Sequence, residues 1–134
     1  MEKVEEIKAA QKAETAEEKY PEVEKKPEIT IDDFDKVQIQ VGEVIKCEPV
    51  PKAKKLLVSQ IKIGAETRQI VSGIAKYYKP EEMVGKKVAV ITNLKPCKLC
   101  GVESQGMILA AGDDEGNLSV VTVDKDIVSG SEIC

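Results

Sequence analysis

Cys97 and Cys100 stand as Cys-x-x-Cys followed by glycine, the spacing of half a zinc knuckle. A structural zinc site takes four ligands, and a thioredoxin-like pair sits at the start of a helix in a βαβ setting. This chain has no His, and its other two cysteines, Cys47 and Cys134, are isolated. The pair therefore reads as small thiols, and no metal site and no cofactor is expected. Without His, the usual general base and the Ser-His and Cys-His nucleophile pairs are also missing. No catalytic residue is assigned.

The lysines suggest other chemistry. PKAKKLL carries Lys52, Lys54 and Lys55 just before an apolar strand pattern. Lys86 and Lys87 open another strand, and Lys95 and Lys98 follow it in NLKPCKL. An ammonium on a flexible stem meets phosphate as a point charge. The net charge of -4 conceals a strong asymmetry. Residues 36–98 hold thirteen basic against five acidic side chains, while residues 1–33 and 99–134 are both acidic. A cationic middle between acidic ends suits a polyanion partner. The plainer alternative is a mixed-charge surface that keeps a sheet edge soluble. Ser104-Gln105-Gly106-Met107 adds a hydroxyl, an amide, a turn and a soft apolar tip. By itself this motif reads more simply as a hairpin turn. Aromatics make up only 3% of the chain, so a base-stacking surface that coats single strands is not expected. Recognition of a folded RNA by shape and backbone fits better.

These groups must be positioned by a core of Val, Ile, Leu and Ala, since there is no Trp and one Phe. The 134 residues suffice for one ordinary domain. No apolar run reaches the roughly 20 residues that span a bilayer, the N-terminus lacks a secretory apolar stretch, and the cysteines read as reduced. A cytoplasmic location is expected. Residues 1–28 form a charged, helix-prone tail ending in the proline-containing linker PEVEKKPE. Thr30 is a candidate N-cap for a short helical turn over residues 31–35.

From Val37 onward strands dominate. VQIQVGEVIKC alternates apolar and polar residues, with Gly42 marking a bulge or bend. LLVSQIKIG, TRQIVSGI, KKVAVITNL, GMILAAGDD and NLSVVTV follow as strands. Turns are expected at Gly64-Ala65-Glu66 and over residues 113–117, with a short helix near Pro80. The expected architecture is all-β. A five-stranded Greek-key barrel of the oligonucleotide-binding type, carrying short helices and the N-terminal tail, occupies residues 29–134. A β-sandwich is the structural alternative.

DFDKVQIQVGEV, EPVPKAKKLL, RQIVSGI, VGKKVAVITNLKP and GVESQGMILAA occur in order over residues 30–134. Together they resemble the tRNA-binding domain attached to bacterial methionyl-tRNA synthetases. The same domain occurs in free-standing tRNA-binding proteins and eukaryotic synthetase cofactors. The resemblance implies an oligonucleotide-binding fold that forms a homodimer through the segment leading into the barrel and the C-terminal residues. It implies a non-catalytic module that binds tRNA with little sequence specificity, attached to or associated with a synthetase catalytic domain. It further implies tRNA contact at Lys55, Asn93, Lys95, Ser104 and Met107, beside which Lys54, Lys98 and Gln105 complete the candidate surface. The chain departs from the family at Gln38, Gln40, Val50, Cys97 and Cys100, and losing basic residues at Gln40 and Cys97 lowers the affinity expected. The alternative reading is a homodimeric protein-interaction or chaperone-like module that binds RNA weakly.

Overall fold

A computed structural model describes residues 20–134. The helix-prone part of the tail before Tyr20 lies outside the described residues. Residues 20–30 form no helix or strand and are exposed. Thr30 caps helix α1, Ile31–Phe34, and its hydroxyl accepts the Asp33 N–H at 3.3 Å. The Asp33 carboxylate accepts the Thr30 N–H in return, also at 3.3 Å, completing a capping box.

Strand β1, Ile39–Val50, organises the molecule. Its first half pairs with β4, Lys87–Ile91, from Ile39↔Ile91 to Glu43↔Lys87. Its second half pairs with β2, Ala53–Ile63, from Glu43↔Lys62 to Val50↔Ala53. The change of partner coincides with a register shift between Val44 and Lys46, just beyond the glycine expected to mark it. Gly42 has a separate reason for its type. A Cβ there would stand 2.5 Å from Ile61 Cγ2, so only glycine lets β2 pack this closely.

Strand β2 turns through Gly64 and Ala65 into β3, Glu66–Ser72. Helix α2, Pro80–Met83, has Pro at its first turn, and its Met83 inserts into the core. The chain continues through β5, Cys97–Leu99; β6, Val102–Ser104; β7, Met107–Ile108; β8, Ala110–Gly112; β9, Leu118–Val120; and β10, Glu132–Ile133. The main sheet runs β3-β2-β1-β4-β7, with β10 added to β1, while β5-β6 and β8-β9 form separate hairpins. Asp113 organises the β8–β9 turn. Its carboxylate accepts from the Asn117 amide side chain and from the N–H groups of Asn117 and Glu115, which hold it below the usual carboxylate range.

The all-β architecture with short helices is present. Its ladder is open, however, because β3 and β7 end the path without pairing. Side chains bridge that gap. The Val71 N–H donates to the Ser104 hydroxyl at 2.9 Å, and the Gln69 N–H to the Gln105 side-chain carbonyl at 3.1 Å. The Gln105 N–H returns a bond to the Gln69 carbonyl at 2.7 Å. The edge of β3 is thus satisfied by groups standing in for a strand.

Leu57, Ile61, Ile70, Val44, Val88, Val90, Ile108 and Val120 fill the interior together with Met83. Tyr78 lies against this core, and its hydroxyl accepts the Val120 N–H at 3.1 Å. Tyr77 faces outward. Among the described residues no helix is long and apolar enough to cross a membrane.

All four cysteines are free, but Cys47 alone is buried. Burial pushes its thiol up, partly offset by a hydrogen bond donated by the Ser59 hydroxyl at 3.4 Å. A thiol-titrating reagent at neutral pH should therefore modify the exposed Cys97 and Cys100 promptly and Cys47 only on unfolding. Prompt reaction of Cys47 in the folded protein would contradict this packing.

Candidate nucleic-acid interface

The β1–β2 hairpin carries Lys52, Lys54 and Lys55, all exposed. Its register is broken at the tip. Pro49 pairs with Leu57 but Val50 pairs with Ala53, leaving Lys54, Lys55 and Leu56 without partners in β1. Such a bulge re-aims side chains away from the sheet. The β3 ladder also stops at Leu57↔Ser72, and the Lys55 carbonyl is taken instead by the Ala75 N–H at 3.3 Å.

The loop after β4 carries Lys95 and leads into β5, which holds Lys98. Both lysines are exposed. The β5–β6 hairpin turns through Cys100 (φ +50) and Gly101 (φ +81), a two-residue turn with both central residues left-handed. This hairpin stands beside the first one, since Cys100 lines a recess together with Ala53, Lys54, Lys55 and Leu56. Lys54, Lys55, Lys95 and Lys98 form no ion pair with any described carboxylate, whereas Lys46 is neutralised by Glu48 and Lys87 by Asp126. Met107, 44% exposed, opens β7 opposite Ile91.

The remaining candidates have their polar atoms engaged inside the protein. Ser104 is 2% exposed, and its hydroxyl donates to the Gly106 carbonyl at 3.0 Å while accepting from Val71. The Asn93 side chain accepts the Gln38 N–H at 2.9 Å and donates to the Lys36 carbonyl at 2.6 Å. Gln105 is tied to β3 as described. These three shape the loops that bear the lysines and Met107.

Sequence reasoning missed the residue that joins those loops. Arg68 on β3 donates from one guanidinium nitrogen to the carbonyls of both Thr92 and Gln105, and from Nε to Glu66 at 2.7 Å. It is the chain's one arginine among nineteen lysines. That was the available signal, because a planar guanidinium holds five donors in fixed directions where an ammonium is a point charge with three rotatable ones. Gln38 and Gln40 also gain a structural reason. The Thr92 hydroxyl donates to Gln40 Oε1 at 2.9 Å and Gln40 Nε2 donates to the Gly130 carbonyl at 2.9 Å. The Thr92 N–H donates to the Gln38 backbone carbonyl, and the Gln38 side chain is reached by the Thr92 hydroxyl at 3.3 Å from Oε1.

Among the described residues no three His, Cys, Asp or Glu side chains gather as a metal site would require. Cys97 lies on a strand and Cys100 in the turn, both exposed.

A family model described as a putative tRNA binding domain matches residues 39–132. The chain belongs to this tRNA-binding domain family. It is 61% identical over 110 residues to the methionine–tRNA ligase of Methanocaldococcus jannaschii, covering 82% of this chain and 17% of that protein. It is 55% identical over 125 residues to the enzyme of Bacillus subtilis, covering 93% and 19%. This tRNA-binding domain thus spans less than a fifth of the length of these curated relatives. Among solved structures it resembles a MetRS-related protein from Pyrococcus horikoshii, with TM-score 0.77 and 38% identity over 81% of this chain and all of that one. It also resembles a CsaA chaperone protein from Picrophilus torridus, with TM-score 0.73 and 25% identity over 80% of this chain and all of that one.

Proposed function

We propose that this chain is the non-catalytic tRNA-binding module of a methionyl-tRNA synthetase, raising the enzyme's hold on tRNA with little sequence specificity. The observation that carries this reading is the placement of exposed lysines on the segments of the family match nearest the two adjacent hairpins. Lys54 and Lys55 lie on one side, and Lys95 and Lys98 on the other. Neutralising phosphates with ammonium groups releases condensed counterions, which gives affinity without base readout. Met107 adds an apolar tip, while Asn93, Ser104 and Gln105 hold the loops in place. Residues 1–28 act as the tether to the catalytic part, and residues 29–134 as the binding domain. The protein works in the cytoplasm.

The module acts as a homodimer. Ile31 and Phe34 of α1, with Val37 and Ile133, form the apolar half of a groove of about 250 Å³ whose other walls are Asp35, Gln38, Glu132 and Cys134, and Ile31 is 72% exposed. A second copy placing the same elements there would cover it in the self-complementary manner of a two-fold interface.

The second reading is a homodimeric protein-interaction or chaperone-like module in which RNA binding is weak, and the likeness to a chaperone at 25% identity favours it less than the 61% identity to a ligase favours the first. The two readings part at the lysines. Replacing Lys55 and Lys95 together with alanine should weaken tRNA binding and reduce the slope of log affinity against log salt by about two, one per lost phosphate contact. Unchanged affinity and slope in this double variant would remove these residues from the site.

A further inference from the structure

We propose that the recess between the β1–β2 and β5–β6 hairpins takes a single unstacked nucleobase, with Lys54 and Lys55 on the phosphates beside it. The inference rests on the RNA-binding reading above and specifies what part of the RNA this site engages.

The recess has a volume of about 430 Å³ and is lined by Ala53, Lys54, Lys55, Leu56 and Cys100. Its chemistry is unusual for its surroundings. Lys54 and Lys55 line it, yet its exposed walls are almost wholly apolar, as when lysine stems cover a surface and their charged heads reach out to solvent. An apolar cleft framed by cations matches a nucleotide, whose base offers two apolar faces and whose backbone offers the anion. A duplex alone would present phosphates to the lysines and leave the cleft empty.

The fold constructs this cleft with two separate devices. The register break in β2 releases Lys54, Lys55 and Leu56 from β1. The Ala75 N–H then fixes the Lys55 backbone, and Leu56 packs over Gly73, where a Cβ would lie 3.9 Å from Leu56 Cδ2. On the other side, the left-handed turn holds Cys100 as the facing wall. The second cysteine of the Cys-x-x-Cys pair thereby acquires a packing role that needs no metal. Because the walls are aliphatic and sulfur rather than aromatic, the base contributes less than it would on an aromatic platform, where each base gains stacking energy on a ring face.

Cys100 makes the cleft directly testable. In the full chain carrying Cys97→Ser and Cys134→Ser, Cys100 is the one exposed thiol among the described residues, since Cys47 is buried. Its rate of modification by a small maleimide is measured with a blunt RNA duplex and with the same duplex bearing a short unpaired 3′ extension. Binding of both RNAs is then measured before and after Cys100 carries a bulky maleimide. The expected result is that the extended duplex binds about threefold more tightly and protects Cys100, while the blunt duplex does not. The adduct should abolish the preference and leave blunt-duplex binding and its salt slope unchanged. Equal binding and equal protection by the two RNAs would overturn the cleft assignment while leaving the lysine surface standing. Absence of binding to both duplexes and to tRNA would overturn the RNA-binding reading itself. Stronger protection by an acidic leucine-containing peptide than by either RNA would overturn the nucleobase assignment and give the cleft to protein instead.

Discussion

Replacing Arg68 with alanine is expected to cost about 2–4 kcal/mol of folding stability, because a partly buried donor disappears from carbonyl groups that have no substitute. The guanidinium joins the end of β4, at Thr92, to the β6–β7 connection, at Gln105, across the open side of the sheet. Truncation leaves both acceptors unmet and removes the stitch between the Lys95 loop and the Met107 turn. Arg68→Lys is expected to restore less than half of the loss, since one ammonium cannot reproduce the fork. Urea denaturation of the three proteins measures this. If Arg68→Lys matches the wild type, the fork is unimportant and the loops are held by Asn93, Ser104 and Gln105 alone. Tightly folded loops with weaker RNA binding would instead make Arg68 a contact residue, and the salt slope would then fall by about one.

Gly130→Ala is expected to cost about 2–4 kcal/mol for two separable reasons. Gly130 has φ +93, where a side chain strains the backbone, at about 1–3 kcal/mol. A Cβ there would also lie 2.8 Å from both Cα and N of Gly64, backbone atoms that cannot swing aside. The β2–β3 turn and the C-terminal segment meet at these two glycines. Gly130 further donates its N–H to the Val41 carbonyl at 2.6 Å and accepts from Gln40, so the same change loosens β10 from β1. Gly116→Ala is the control. Gly116 has φ +84, and a Cβ there would meet nothing within 4 Å, so it carries the backbone cost alone. Thermal and urea unfolding of both variants separates strain from close approach. Equal losses would mean that the two turns part easily. For the homodimer proposed above, sedimentation should also show weaker association of Gly130→Ala, since β10 borders the groove; unchanged association would place the proposed interface elsewhere.

The strands were legible where local pattern suffices. The alternation from Val37 to Val41 announces β1, which starts two residues later at Ile39, and Thr30 announces its helix because a cap needs only residues three apart. The β5–β6 hairpin was not legible. Its turn is Cys100-Gly101 in place of the usual Asn-Gly, and its three-residue strands show no apolar alternation. Strand β10 is two residues long and exists only because Ile39 and Gln40 of β1 are available to pair with Ile133 and Glu132.

The candidate site divides in the same way. Charge made the lysines visible one by one, but the placing of Lys54 and Lys55 beside Cys100 depends on a register break that no periodicity reveals. Asn93 and Ser104 were identifiable as special residues, yet their partners on β3 and before β1 lie 33 to 57 positions away, so their positioning work was hidden. A missing basic residue at Gln40 looked like a loss of RNA affinity. In the structure its amide bridges Thr92 and Gly130, giving that position a task within the protein.

The most direct test of the central claim is the binding of the purified chain to folded tRNA and to an unstructured RNA of equal length across a salt series. A module that reads folded RNA through a lysine surface predicts tighter binding to tRNA at every salt concentration. It also predicts a log–log slope of at least about three, as roughly four phosphate contacts would give. Weak binding of equal strength to both RNAs, with a shallow slope, would contradict the account and leave dimeric protein interaction as the function of this surface.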